Sequence, residues 1–239
     1  MLSKKEIKDI QSLGLKKARD EQGLFLAEGP KLVAELLQTI PQKIQKIYAL
    51  QSWMPAHEDL KKLIHIVNES ELQTLSQSKT PNQVLAIVQQ WHGFAPVLSA
   101  GFCLYLDTIQ DPGNFGTIIR TADWFGVTQV ACTDGCADLY NPKVVQSSMG
   151  SIARVAVFYD TDLAWLKKQT APVYAATLHG TSTFSKPHTG ILLIGNESKG
   201  LRPELLQLAT QQITIQKKGG AESLNAAVAT GILLSQLVS

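Results

Sequence analysis

The chain has 239 residues, 44% of them hydrophobic, which is enough apolar material for one large domain or two modest ones and too much for a disordered chain. Its formal net charge is only +2, which by itself points to no class of partner, but the whole excess lies in residues 1–90. Apolar stretches are interrupted every few residues, and the N-terminal MLSKKEIKDIQSLG carries charge without an apolar signal region; neither a membrane span nor export is expected, so the expected location is the cytoplasm.

Lys4, Lys5, Lys8, Lys16, Lys17 and Arg19 crowd the first twenty residues, opposed there by Glu6, Asp9 and Asp20. Such a cluster reads either as a solvated helix face or as a patch that contacts phosphates. Up to Gln90, short apolar runs (FLAEG, KIQKIYAL, LIHIV, QVLAIVQQ) alternate with helical patterns such as 31–39, which describes a small α/β domain over residues 1–90. WHGFAPVLSAG, with small residues, glycine and proline between two strand-like runs, places a linker at 91–100.

From 101 to 239 the strands FCLYLD, QVACTD, VYAAT, ILLIGN and QITIQ alternate with candidate helices near 114–125, 143–149, 161–169, 203–209 and 223–237. That alternation predicts a parallel sheet flanked by helices, with ligands at the carboxyl ends of its strands. Cys103, Cys132 and Cys136 cannot all pair and form no CxxC, so they are expected as buried thiols. His57, His65, His92, His179 and His188 form no HxxxH or HxH pair, and no metal site is expected.

Three loops carry candidate chemistry. In QDPGNFGTIIRTADWFG, Pro112 and Gly113 turn the chain after Asp107, Asn114 can cap the following helix, and Arg120 lies four residues beyond Gly116, which predicts a shared face. A planar fork of donors below a helix start suits phosphate or carboxylate; an ordinary capped helix with a surface arginine fits the same residues. In LLIGNESKGL, a buried strand ends in Gly195 and Asn196, then presents Glu197 and Ser198 before Gly200: a placed carboxylate, or a turn with a solvated acid. In ITIQKKGGAESLNAAVATGILL, Gly219 and Gly220 loosen the backbone, Ser223 can cap a helix with Asn225 in its first turn, and the small residues beyond permit close packing against another segment or subunit.

Taken together, the three loops resemble, in order, the motifs of the SpoU (TrmH-like) branch of the SPOUT RNA methyltransferases: NxGxxxR in Asn114, Gly116 and Arg120; GNExxGL in Gly195, Asn196, Glu197, Gly200 and Leu201; SLN in Ser223, Leu224 and Asn225. The resemblance covers about 101–239, and IQSLGLKKARDEQGLFLAEGPKLVAELL looks like the ribosomal-protein-like RNA-binding domain that precedes the catalytic domain in many relatives. It implies a deep trefoil knot, a homodimer that completes the site, and S-adenosylmethionine held by Thr177, Leu178, Gly180, Gly195, Asn196, Glu197, Gly200, Ile215, Ser223, Leu224 and Asn225. The implied reaction is methyl transfer to a ribose 2′-hydroxyl of RNA, ribosomal RNA favoured over transfer RNA, with no metal.

The same resemblance makes Asn114, Arg120, Glu197, Ser223 and Asn225 the catalytic set, and Lys16, Lys17, Arg19 and Arg120 the RNA contacts. A guanidinium holds its proton too tightly to act as base at neutral pH, so Arg120 reads as phosphate clamp and orienter first, base second. Where relatives carry Ile-Pro-Met before the third loop's glycine, Ile215 is followed here by Gln216 and Lys217, a difference that bears on substrate identity. A non-catalytic RNA-binding protein would share the basic N-terminal segment but has little use for the polar set; a dinucleotide oxidoreductase would need a GxGxxG after a strand, which is absent.

Overall fold

The structure, a computed structural model, describes residues 2–53, 62–98, 101–182 and 189–238. Ser99 and Ala100 of the expected linker, and His57 and His188, lie outside the described residues. The chain divides into two compact units: Met1–Trp91 with Asp138–Ala153, and His92–Ala137 with Arg154–Ser239.

In the first unit, α1 (Lys4–Ser12) starts at Ser3, whose Oγ accepts from Glu6 N at 3.1 Å. After it, α2 (Lys16–Gln22) stops at Gly23, whose left-handed φ of 64° suits a residue without a Cβ. Strand β1 (Leu24–Glu28), α3 (Pro30–Thr39), β2 (Ile44–Ala49), β3 (Ile64–Ile66), α4 (Glu69–Leu75) and β4 (Val84–Gln89) follow. Asn68 and Glu71 close a reciprocal capping box at the start of α4. The sheet order is β1-β4-β2-β3, with β4 antiparallel to both neighbours and β2 parallel to β3. Five of the six β4 residues are buried, as a central strand covered on both faces requires, and Ile10, Leu13, Leu26, Tyr48, Leu72 and Leu85 form much of the core on one side.

At the edge of that core the Glu6 carboxylate accepts from Lys46 Nζ at 2.5 Å and from Tyr48 Oη at 2.7 Å. The lysine first, then the phenol, pull the Glu6 pKa down from 4.5 to about 2, and the same contact raises Lys46. A depressed carboxylate adds stability above its unfolded pKa and loses it as pH falls through its folded value, so this contribution is full above about pH 4.5 and gone near pH 2. Acid titration of the folded protein followed by circular dichroism should show an acid limb between those limits that flattens in Glu6→Gln; an identical limb in the variant would place the acid sensitivity elsewhere.

The second unit opens with β5 (Gly101–Leu106), α5 (Pro112–Trp124) and β6 (Gln129–Cys132). The chain then forms α6 (Pro142–Ser148), which packs within the first unit, and returns for β7 (Ala156–Tyr159), β8 (Val173–Thr181), β9 (Thr189–Ile194), α7 (Pro203–Leu206), β10 (Gln211–Ile213) and α8 (Ala226–Leu237). The sheet is parallel throughout, as the alternation predicts, in the order β10-β8-β9-β5-β6-β7. Its interior strands β5 and β9 are almost wholly buried.

Two expectations change here, and one strand was not expected. The helix expected over 161–169 is instead two short 3-10 turns, because Asp162 and Leu163 adopt φ near 59° and 58° and the Asp160 carboxylate takes the Trp165 and Leu166 amides that a continuous helix would use. The one expected over 203–209 is a single turn, Pro203–Leu206. Edge strand β7, half-exposed and four residues long, carries too little alternation to stand out in sequence.

The segment Asp138–Ala153 is stitched into the first unit by specific contacts. Tyr140 packs on Phe25 with ring centroids 4.7 Å apart and on Trp91 at 5.6 Å, and its hydroxyl donates to the Trp91 carbonyl and accepts from Trp91 N. Arg19 donates from Nη2 to Asp138 Oδ2 at 2.6 Å, and from Nη1 to the Leu13 and Gly14 carbonyls at 2.9 Å each. With 2% of its surface exposed, Arg19 is withdrawn from solvent, which corrects its expected role as an RNA contact: a guanidinium already wrapped by three protein acceptors cannot reach a phosphate. Lys16 and Lys17 remain exposed, paired loosely along the helix with Asp20 at 2.8 Å and Glu21 at 3.9 Å.

Candidate functional site

Consecutive positions in the sheet bring the candidate loops together. β10, β8, β9 and β5 are neighbours in that order, so their carboxyl ends form one rim. β8 pairs with β9 as Val173↔Ile191 through Ala175↔Leu193, and Thr177 and Gly195 follow shortly after the last paired residues of these adjacent strands. On the other side Asp107 N donates to Ile194 O at 2.8 Å, which puts the end of β5 beside Gly195 as well.

The first loop is capped by a different residue from the one expected. Asp111 is the N-cap of α5 and accepts Asn114 N at 2.8 Å, which leaves the Asn114 side chain free to face the site. Asn114 Nδ2 donates to Glu197 Oε1 at 2.5 Å, and Asn114 Oδ1 accepts from Asn225 Nδ2 at 2.9 Å. The carboxylate fixes the amide's orientation, because a flipped Asn114 would set its oxygen against Glu197. Further along α5, Gly116 is buried and Arg120 is exposed, so the helix's buried edge runs between residues whose spacing predicts one face. Arg120 makes no hydrogen bond or ion pair with any described residue.

The second loop is a closed ring. Asn196 N donates to Gly200 O at 3.2 Å, Gly200 N returns to Asn196 O at 2.8 Å, and Asn196 Oδ1 accepts from Ser198 N and Lys199 N. The ring closes only on glycine: a Cβ on Gly195 would stand 2.4 Å from the Gly200 carbonyl carbon. Asn196 Nδ2 also donates to the Thr108 carbonyl at 3.1 Å, where Thr108 has φ 53°. Below it, Asp107 is fully buried and accepts from Arg202 N at 3.0 Å, Arg202 Nε at 2.9 Å and Thr133 Oγ1 at 3.3 Å. Asp107, Thr108, Thr133 and Arg202 were not among the candidates, yet they bolt the second loop to the first. The available signal was an acid ending an otherwise apolar strand, which in a buried position needs donors to exist at all.

In the third loop Asn225, and not Ser223, is the N-cap of α8, accepting from Ala227 N at 3.0 Å and Val228 N at 3.2 Å. One side chain therefore fastens α8 at its start and reaches across to Asn114 on α5. The two helices lie side by side and run the same way, with Gly231 against Thr121, so the small residues of α8 serve close packing within the unit. Ser223 is exposed and hydrogen-bonded to no described residue; Leu224 is also exposed.

At the end of β8, Thr177 Oγ1 lies 3.4 Å from Gln212 Oε1 and Leu178 is exposed, while Gly180 allows β10 to cross close by, since a Cβ there would sit 2.6 Å from the Gln212 and Ile213 backbone. Ile215 is half-buried just beyond β10. The structure thus joins Glu197, Asn114 and Asn225 by direct hydrogen bonds, sets Asn196, Gly195 and Gly200 in the adjoining ring, and puts Thr177, Leu178, Gly180 and Ile215 on the neighbouring strand ends. The three cysteines are free thiols; burial pushes Cys103 up to about 12. Among the described residues no group of three or more His, Cys, Asp or Glu is arranged to hold a metal.

The SpoU rRNA Methylase family matches residues 101–235, the part of the chain that carries all three loops. The chain belongs to this family. Residues 4–86 match the MRM3-like substrate binding domain. Among SpoU-type relatives, the 23S rRNA (guanosine(2553)-2′-O)-methyltransferase of Bacillus subtilis is 30% identical, over 97% of this chain and 95% of its own. A TrmH-family protein from Porphyromonas gingivalis is 36% identical with a TM-score of 0.86, covering 99% of this chain and 98% of that one. The AdoMet-bound rRNA methyltransferase of Sinorhizobium meliloti is 31% identical with a TM-score of 0.86, covering 100% of this chain and 97% of that one.

Proposed function

We propose that this protein transfers a methyl group from S-adenosylmethionine to a ribose 2′-hydroxyl of ribosomal RNA. The observation that carries the proposal is the hydrogen-bonded series Glu197, Asn114, Asn225, which crosses three loops of a SpoU-type unit and leaves Arg120 exposed and unpartnered on the same helix as Asn114. The residues present suit the cofactor: a closed polar ring at 195–200, and the exposed apolar side chains Leu178 and Leu224 on the adjoining strand end and loop, match a ligand with a flat aromatic ring and a polar tail. Thr177, Leu178, Gly180, Gly195, Asn196, Gly200, Ile215 and Ser223 to Asn225 are the residues proposed to hold it. Bound there, it supplies a sulfonium-activated methyl group.

What this chain must add is alignment and a place for the proton. Glu197 Oε1 is engaged by Asn114, while Oε2 has no partner among the described residues and is available to accept the hydrogen of a ribose hydroxyl. Arg120 clamps the adjacent phosphate and orients that hydroxyl. Asn225 ties the start of α8 to the same series, so a shift of the third loop would be felt at Glu197 through two hydrogen bonds.

Residues 1–90 are proposed as the RNA-reading domain, with Lys16 and Lys17 as phosphate contacts, 91–100 as the linker and 101–239 as the methyltransferase domain. The match to a substrate-binding domain and the ribosomal substrate named for the Bacillus subtilis relative support ribosomal over transfer RNA. The return of the chain from edge strand β10 to lay α8 beside α5 supports a trefoil knot. Trp124 on α5 and Val228 and Val238 on α8, all exposed, are the kind of surface a second copy would cover in a homodimer. The cytoplasm, where ribosomal RNA is found in bacteria such as that relative's source, is the proposed location; among the described residues no helix is long and apolar enough to cross a membrane.

Mapping ribose methylation in total RNA with and without the protein tests the assignment: a lost mark in ribosomal RNA is expected, and a lost mark confined to transfer RNA would replace the substrate. Because the second and first loops are cross-linked before any ligand arrives, S-adenosylmethionine alone should raise the melting temperature, by an amount equivalent to about 2.7 kcal/mol at a concentration a hundredfold above its Kd. A scanning-fluorimetry trace indifferent to the cofactor yet shifted by NAD would overturn the methyltransferase reading.

A further inference from the structure

In the second unit, three of the eight described Lys and Arg side chains have protein partners. Arg154 is held by Asp123 at 2.7 Å, Arg202 by Asp107 and Glu204, and Lys167 donates to the Asp162 carbonyl. Among that unit's described residues, the Lys and Arg side chains left without any hydrogen bond or ion pair are Arg120, Lys168, Lys199, Lys217 and Lys218. Arg120 stands on α5, Lys199 on the second loop, and Lys217 and Lys218 on the third.

Of these, Lys217 and Lys218 are adjacent in sequence and, like Lys168 and Lys199, have no part in the reaction chemistry. They lie in a run, residues 216–225, in which every residue is exposed. The run is nonetheless tied at both ends: Thr214 N donates to Thr181 O at 3.0 Å before it, and Asn225 caps α8 and reaches Asn114 after it. Two adjacent ammonium groups are thus carried on a loop that ends in the site's Asn225, with Glu222 as the acid of the same loop, and they gain nothing for stability, since exposed and unpaired lysines contribute none. A neutral ligand gives no reason for that arrangement. A polyanion does.

We propose that Lys217 and Lys218 form an electrostatic seat for the phosphodiester backbone of the RNA flanking the nucleotide that enters the site, distinct from the Arg120 contact. The identity of the polyanion rests on the RNA methyl-transfer reading; the seat itself rests on the loop.

The test is a double variant, Lys217→Gln/Lys218→Gln, in the full chain. Binding of a fluorescent oligouridylate of about 12 nucleotides is followed by anisotropy from about 50 to about 200 mM salt. Without these two ammonium–phosphate pairs, affinity at the low-salt end should drop about tenfold and the slope of log K against log salt should flatten by about 1.4, at roughly 0.7 per single-strand phosphate neutralised. S-adenosylmethionine affinity, measured by calorimetry, should stay the same. An unaltered salt slope overturns the seat, and so does a loss of cofactor affinity, which would assign the lysines to the cofactor's carboxylate. Wild-type protein that shows the lysine-dependent slope but methylates no RNA would sink the enzymatic reading and leave the seat standing.

Discussion

Replacing Arg120 with alanine should leave the protein folded and able to bind S-adenosylmethionine, and should cut the single-turnover methylation rate with saturating RNA by about a hundredfold or more, the scale of losing one preorganised electrostatic contact. The first half follows from position: Arg120 is exposed on α5 and bonded to no described residue, so its removal empties no cavity and orphans no acceptor. The second half follows from its role. Arg120→Lys keeps the charge and loses the planar fork, so it should restore RNA affinity more fully than rate. Near-complete rescue of the rate by lysine would show that charge alone suffices and that the orienting role is wrong.

Arg19→Ala should be the most damaging single truncation in the basic N-terminal cluster, destabilising the first unit by about 3 to 5 kcal/mol in urea titration, because it leaves the Asp138 carboxylate and two carbonyls facing an empty space. Lys16→Ala and Lys17→Ala, at exposed helix pairs, should change stability by no more than about 0.5 kcal/mol. Removing both charges together, as Arg19→Met/Asp138→Leu, should recover much of the loss. That pair of substitutions also separates structure from recognition: it should keep the salt dependence of RNA binding, whereas Lys16→Gln/Lys17→Gln should flatten it. A flattened slope in the Arg19 variant would return that residue to the RNA surface.

The contrast between Arg19 and its lysine neighbours marks where a sequence stops being legible. All three sit within four positions of each other, yet what decides Arg19 is Asp138, 119 residues away, and no local pattern carries that. The caps failed for a related reason. Asp111 and Asn114, like Ser223 and Asn225, are cap-capable residues a few positions apart that spacing does not separate: Asn114 reaches across the rim and leaves the cap to Asp111, whereas Asn225 both caps α8 and reaches across. The parallel sheet could be read because hydrophobic period and length repeat along the chain, and the three loops because strand ends are where such a sheet presents its chemistry. Asp107 and Arg202 were visible as residues and invisible as a pair. Only the register of β5 with β9 brings the two together.

The excursion of residues 138–153 into the first unit bears on the order in which this protein can be made. A ribosome releases the N-terminal sheet early, but Phe25, Trp91 and Arg19 wait for Tyr140 and Asp138, which emerge only after β5, α5 and β6 of the other unit. The first unit is therefore born incomplete, with an aromatic face and a charged guanidinium uncovered while the first two strands of the other unit's six-stranded sheet are being synthesised. Long-range closure of this kind slows folding and lengthens exposure to misassembly. Cutting the gene at the linker would make that transient condition permanent for both halves.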